Sequence, residues 1–427
     1  MLKKIQVDQL RLGMHLRSFE GSWGDHPFWR ASFVLLDPAD LARARASGIG
    51  ECWIDTGLGV DVAASSVAAA APVAEVDVSV AAGASVVAES ASTRRVSLDA
   101  ELHRAAKLCK TASTQVMAMF EDVRLGRTLD AERCLPLVHD ISASVIRNPG
   151  AMLSLARLKT QDDYTYMHSV AVCALMVALG RQMGLDEAAC RDAGMAGLMH
   201  DIGKAAISPR ILGKPGKLDD EETAIIKTHP VRGYELLTEG SAASETTLDV
   251  CLHHHERMDG AGYPHRLARD DISMFARMGA VCDVYDAVTS DRPYKAGWDP
   301  SESIVRMAQW EGHFDPAMLK ALIHTLGIYP IGSLVELESR RIAVVVEQNT
   351  HALTKPVVKI FFSQRSKMPV VPEIVDLAAP GCQDSICART SMEGRNERQI
   401  ASLWAGVALP KGYKAPRRRA DQPATSR

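Results

Sequence analysis

The sequence has no Cys-x-x-Cys pair. Its nine cysteines are scattered through 427 residues, and the nearest two are Cys382 and Cys387. Such spacing supports neither a zinc ribbon nor a disulfide framework, and a reducing cytoplasm is the expected setting. No apolar run approaches the roughly 20 residues that a membrane helix needs, and residues 1–8 lack the apolar core of a secretory signal. A net charge of −3 leaves no broad basic coat for a nucleic-acid polymer, so any phosphate site must be a local patch. The alternation of strand and helix that a Rossmann or P-loop enzyme requires is missing from the middle of the chain.

What is present divides the chain into segments. Residues 1–60 read as a small α+β domain. Strands are expected at Lys4 to Val7, Phe33 to Leu36 and Cys52 to Asp55, with a helix from Pro38 to Ser47 stopped by Gly48. Trp23, Phe28, Trp29 and Phe33 are its expected core. Residues 61–93 collapse to Ala, Val and Ser and read as a linker; Asp61, Glu75 and Asp77 exclude a membrane span there. Residues 94–150 turn helical, with Leu98, Leu102, Ala105 and Leu108 on one face, and serve either to connect or to dimerise. Strands at Ser333 to Leu337, Ile342 to Val346 and Val357 to Phe361 make residues 331–410 a small β appendage, and residues 411–427 read as a disordered tail.

Residues 151–330 read as an all-α bundle, so the chain as a whole is mainly α. Asp162 and Asp163 precede one helix, Asp186 opens a second and Asp219 a third. A fourth is expected to carry Cys251 to Glu256, and a fifth runs from about Ile272 through Asp286, with Ser301 and Asp315 capping two more.

His168, His200, Asp201, His229, His254, His255 and Asp283 fall on successive helices or at their ends, so a bundle can aim them at one interior point. A single histidine of this kind is more often a satisfied core residue. Together, however, buried imidazoles and carboxylates without partners would be destabilising, whereas a metal satisfies them all. Nitrogen and oxygen donors without thiolate suit iron or manganese. The carboxylate of Asp201 can bridge two metals about 3.5–4 Å apart, which can hold a hydroxide for attack at phosphorus. Lys204, Arg292 and Lys295 are candidate phosphate donors.

Three ordered motifs then carry a family resemblance. His200-Asp201-Ile202-Gly203-Lys204, His254-His255-Glu256 followed by Gly262-Tyr263-Pro264, and Asp283-Val284-Tyr285-Asp286 with Arg292-Pro293-Tyr294 resemble the HD-GYP family, a branch of the HD metal-dependent phosphohydrolases. Residues 1–60 resemble the small domain of unknown function that often precedes it. The resemblance implies an HD-type helical bundle that hydrolyses cyclic di-GMP to pGpG, and onward to GMP in some members. It also implies two divalent metals, iron or manganese. His168, His200, Asp201 and Asp283 would hold one, and Asp201 would bridge to a second on His229, His254 and His255. Lys204 would bind and polarise the scissile phosphate, while Asp286, Arg292 and Lys295 would line the substrate pocket. Gly262, Tyr263 and Pro264 would form a surface loop that contacts diguanylate cyclase (GGDEF) domains. Members with three metals place a Glu where this chain has Tyr164, so two metals are expected. The competing reading is a cyclic di-GMP sensor or docking module without turnover.

Overall fold

The backbone that positions these residues comes from a computed structural model, which describes residues 2–19, 33–35, 38–46, 50–60, 96–159, 164–214, 216–240, 243–290, 297–349, 351–390 and 397–405. The expected linker and C-terminal tail lie outside the described residues, as do Trp23, Phe28, Trp29, Arg292 and Lys295. The chain divides into two units, residues 1–88 and 89–427.

In the first unit, strands β1 (Leu2–Gln6), β2 (His15–Phe19) and β3 (Phe33–Val34) precede helix α1 (Pro38–Ala46) and strand β4 (Glu51–Asp55). The antiparallel sheet has the order β1-β4-β2-β3. Strand β4 alternates, with Cys52 and Ile54 inward, as the two-residue period of a half-buried strand requires. The described core is aliphatic: Ile5, Val7, Leu10, Met14, Leu16 and Leu35 close around these two.

The second unit begins with α2 (Leu98–Arg124), started by the Ser97 side chain accepting from the Ala100 amide. Its residues Leu102, Ala105, Cys109, Ala112, Val116 and Phe120 recur at helical spacing and are all buried in the main core. Helices α3 (Leu135–Arg147) and α4 (Pro149–Leu155) add Val138, Ile141 and Met152 to the same core. The segment expected to connect or dimerise is thus packed into the bundle. Helix α5 (Tyr164–Gln182) is buried on every side from Met167 to Gly180, so it reads as apolar all round rather than amphipathic. Around it lie α6 (Glu187–Met199), the short α7 (Pro209–Leu212) and α8 (Asp220–Ile226), α9 (His229–Glu239), α10 (Glu245–His253), α11 (Met274–Thr289), α12 (Pro300–Ala308) and α13 (Pro316–Leu326). Asp186, Asp219 and Asp315 cap α6, α8 and α13. Two expectations change. Asp299, not Ser301, caps α12, accepting from the Ser301 and Glu302 amides at 3.0 and 3.1 Å. Helix α10 stops at His253, so His254 is its cap and His255 and Glu256 lie beyond it.

The chain closes with β5 (Leu334–Leu337), β6 (Arg341–Glu347), β7 (Val357–Ser363), β8 (Met368–Asp376), β9 (Ile386–Arg389) and α14 (Glu397–Ala405). The antiparallel order is β8-β7-β6-β5-β9. Val335, Val345, Val358 and Ile360 form one apolar face. Leu334, Val344 and Val346 join the helical core with Ile400 and Trp404 of α14. None of the described helices is long and apolar enough to cross a membrane.

Candidate metal centre

Five helices deliver the site. His168 lies one turn into α5, His200 caps the end of α6, and Asp201 follows it. His229 opens α9, His254 caps α10, and Asp283 and Asp286 share one face of α11 at i, i+3 spacing. All of these are buried, while the His255 side chain keeps 22% of its exposure.

Gly203 is what lets α9 come so close. A Cβ at this position would lie 1.9 Å from the His229 carbonyl oxygen and 2.5 Å from the Gly233 nitrogen, both immovable backbone. Gly203→Ala is therefore expected to push His229 away from Asp201. Metal content measured by elemental analysis should fall while far-UV circular dichroism stays helical. Full metal content in that variant would refute this role.

The candidates form two groups that share one carboxylate. His168 Nε2 lies 3.0 Å from Asp283 Oδ1 and 3.4 Å from Asp201 Oδ2, and His200 Nε2 lies 3.3 Å from the same Asp201 oxygen. The other oxygen, Asp201 Oδ1, faces His229 Nε2 at 3.2 Å and His254 Nε2 at 3.9 Å. His255 Nδ1 is 3.8 Å from Asp283 Oδ2. Possible ligand atoms cluster within 4.8 Å of one another in three sets, His168-His200-Asp283, His229-His254-His255 and His200-Asp201-His254.

Tautomers tell what these clusters are suited to hold. His200 Nδ1 faces the Gly197 carbonyl at 2.8 Å, His229 Nδ1 the Ile226 carbonyl at 2.8 Å, and His254 Nδ1 the Val250 carbonyl at 3.0 Å. A carbonyl only accepts, so each Nδ1 carries a proton and donates it, and each neutral ring turns an Nε2 lone pair inward. His229 and His254 thereby face each other Nε2 to Nε2 at 3.3 Å. Two lone pairs so placed repel unless a cation lies between them. His200 Nε2 and Asp201 Oδ1 are buried without any hydrogen-bond partner, which is costly for a purely structural cluster. Three buried imidazoles with outward Nδ1–H donors and inward lone pairs are the donor set that a divalent cation needs.

The electrostatics agree. Burial pulls the His168 pKa down, but hydrogen bonds donated to Asp201, Asp283 and Asp286 outweigh it and lift the value to about 10. Three carboxylates around one ring call for positive charge. Burial and the neighbouring imidazoles His255, His200 and His229 hold His254 well below its usual range, and burial and His229 bring His255 to about 3. Although burial opposes ionisation of Asp201 and Asp283, the surrounding cations and imidazoles hold both well below the carboxylate range. Ionised Asp201 and Asp283 beside neutral His254 and His255 are the protonation states in which such residues bind metal.

Among the other expected site residues, Lys204 reaches Asp201 Oδ2 at 2.5 Å from a quarter-exposed position at the rim. Asp286 is buried. Its Oδ2 takes the His168 Nδ1 at 2.6 Å and the ammonium of Lys159, so it stands behind the ligand set and orients a ring. Lys159 had no signal in the sequence, being a lone lysine without a motif. Tyr164, at the position of the missing third-metal Glu, stacks parallel to His168 at 6.0 Å. The Gly262-Tyr263-Pro264 loop packs against the site. Tyr263 stacks on His255 at 4.7 Å. A Cβ on Gly262 would lie 2.5 Å from the Glu256 Cα and the Arg257 nitrogen, so only glycine allows this return. Buried Glu256 clamps the loop by accepting from the His265 and Leu267 amides at 2.7 and 3.1 Å.

Comparison with known proteins follows the same division of the chain. A domain of unknown function (DUF3391) matches residues 2–134, reaching past the expected boundary at residue 60, and an HD domain matches residues 148–318. A cyclic di-GMP phosphodiesterase of Pseudomonas aeruginosa is 51% identical over 413 residues, covering 96% of this chain and 98% of that protein. The cyclic di-GMP phosphodiesterase response regulator RpfG of Xanthomonas campestris pv. campestris is 41% identical over 179 residues, 40% of this chain and 47% of RpfG. A 3′3′-cGAMP-specific phosphodiesterase of Vibrio cholerae is 37% identical over 161 residues, 37% of this chain and 31% of that protein. With an HD site assembled from five helices and a relative of the same length at this identity, the chain belongs to the HD-GYP branch of the HD-domain phosphodiesterases, with a DUF3391 domain at its N-terminus.

Proposed function

We propose that the chain hydrolyses cyclic di-GMP to pGpG at a site holding two divalent metals, iron or manganese. The observation that carries this reading is Asp201, whose two oxygens face two separate groups of imidazoles. His168, His200, Asp201 and Asp283 would hold one cation, and Asp201, His229, His254 and His255 the other. When bound, such a pair polarises a phosphoryl oxygen and lowers the pKa of a water towards neutrality.

The protein's own part is positional. Backbone carbonyls lock His200, His229 and His254 with their lone pairs inward, so little reorganisation is needed when charge develops at phosphorus. Lys204 lies at the rim and can donate from its ammonium to a non-bridging phosphate oxygen. His255 and Tyr263, both partly exposed, stack on each other, and an aromatic face so placed can lie against a nucleobase.

The finer properties belong to the same proposal. The enzyme would act in the cytoplasm, consistent with nine free thiols, and the residues exposed around the Gly262-Tyr263-Pro264 loop, Ala261, His265 and Arg266, would be where a GGDEF-domain protein docks. Separating nucleotides after incubation with cyclic di-GMP or 3′3′-cGAMP and Mn²⁺ or Fe²⁺ under anaerobic conditions tests the substrate. The expected product is pGpG from cyclic di-GMP, with 3′3′-cGAMP turned over more slowly. Preferred cleavage of 3′3′-cGAMP would reassign the substrate, and binding of cyclic di-GMP without product would make the domain a sensor.

A further inference from the structure

Lys159 is buried, a place where a lysine ammonium needs a partner. It pairs with Asp286 Oδ2, donates to Ser290 Oγ at 3.0 Å, and lies 5.5 Å from the centre of the Tyr164 ring. The same Asp286 oxygen takes the Nδ1 of His168 at 2.6 Å, and the Nε2 of His168 points at Asp283 and Asp201. Lysine, Asp286, His168 and the shared carboxylate Asp201 therefore form one continuous chain of contacts. We infer that Lys159 is a positioning residue for the metal centre: its fixed ammonium anchors Asp286, which holds His168 with its Nε2 towards the first metal group.

The alternatives for His168 show why an anchor is needed. His200, His229 and His254 are each fixed by a backbone carbonyl of their own or the preceding helical turn. His168 alone among these four is held by a side chain, and a carboxylate can rotate where a carbonyl cannot. Asp286 also shares a small volume with Asp201 and Asp283, the carboxylates that flank the other ring nitrogen of His168. Like charges this close repel in a low-dielectric interior, so Asp286 would turn away unless a cation held it. Ser290 and the Tyr164 ring keep that cation in place, the hydroxyl as an acceptor and the ring face as a cation–π surface. Tyr164 in turn stacks on His168 and limits the tilt of its ring. Lys159 does not reach the reacting atoms, so it acts through Asp286 and His168 only.

This inference rests on the two-metal reading, and the test separates the two. Metal equivalents and affinities are measured for the full chain by titrating metal-free protein with Mn²⁺. The wild type must bind two equivalents; fewer would refute the two-metal reading itself. Given two, Lys159→Met should weaken one of the two sites by about ten- to a hundredfold, the range seen when partners behind metal ligands are removed. The second site should stay within about threefold, and Lys159→Arg should recover part of the loss. Should Lys159→Met fail to fold, Ser290→Ala loosens the ammonium without stranding a charge and is expected to weaken the same site alone. A purely structural lysine would lower the melting temperature of these variants and leave both Mn²⁺ affinities unchanged, and that outcome overturns the inference.

Discussion

Asp201→Asn is expected to lower cyclic di-GMP turnover by about three orders of magnitude or more while the helical circular dichroism spectrum is kept. Asparagine has nearly the same shape, so the buried packing survives, but its neutral amide offers one oxygen where the carboxylate offers two. One of the two imidazole groups then faces an NH₂, which repels a cation. Losing several kcal/mol of metal-based charge stabilisation corresponds to about a thousandfold or more, at roughly 1.4 kcal/mol for each factor of ten. Elemental analysis of the variant should show less than the wild-type metal content. Wild-type turnover in Asp201→Asn, read by separation of the nucleotide products, would remove Asp201 from the centre of the account.

The largest expected effect on stability lies away from the site. Glu101 on α2 is fully buried and takes the Arg147 guanidinium in a two-pronged pair at 2.7 and 2.8 Å, with the Ser144 hydroxyl donating at 2.9 Å. It ties α2 to the end of α3. Glu101→Ala strands Arg147, which is four-fifths buried, and leaves Ser144 without its acceptor. Breaking a buried pair on one side costs about 3–5 kcal/mol, a loss that urea unfolding monitored by tryptophan fluorescence can measure. Burial raises the Glu101 pKa, but Arg147 and Ser144 outweigh it and leave the value lowered. A carboxyl lowered on folding contributes stability that is fully present above the unfolded value, near 4.3, and lost as pH falls through the folded one. The stability gap between wild type and Glu101→Gln should hence be constant above about pH 5 and shrink below about pH 4. A gap that widens on acidification would show that the pair does not act as described.

Several helices of the bundle were legible because their boundaries are written in local chemistry. Asp186, Asp219 and Asp315 sit where an N-cap is expected and act as one. The ligand candidates were legible for a related reason: histidines at the ends of successive helices have few other ways to be satisfied. What escaped was tertiary. Strand β8 contains Pro369 and Pro372 and faces solvent along most of its length, so it lacks the alternation that marks a half-buried strand, and only its pairing with β7 makes it one. Helix α2 has an apolar face that a dimer would also bury; only the fold shows which surface covers it. The i+3 spacing of Asp286 from Asp283 places it on the right face, but its pairing with Lys159, 127 residues earlier, was not legible. Helix α10 ended early since nothing in Cys251 to Glu256 marks where the turn must begin.

Turnover measured against metal content tests the shared-carboxylate centre most directly. Metal-free protein is loaded anaerobically with zero, one, two or three equivalents of Mn²⁺, and the initial rate of pGpG formation from cyclic di-GMP is followed at each. The account predicts no product without metal, a rate that climbs to its plateau at two equivalents, and no gain from a third. A full rate at one equivalent, or a rate independent of metal, would contradict it.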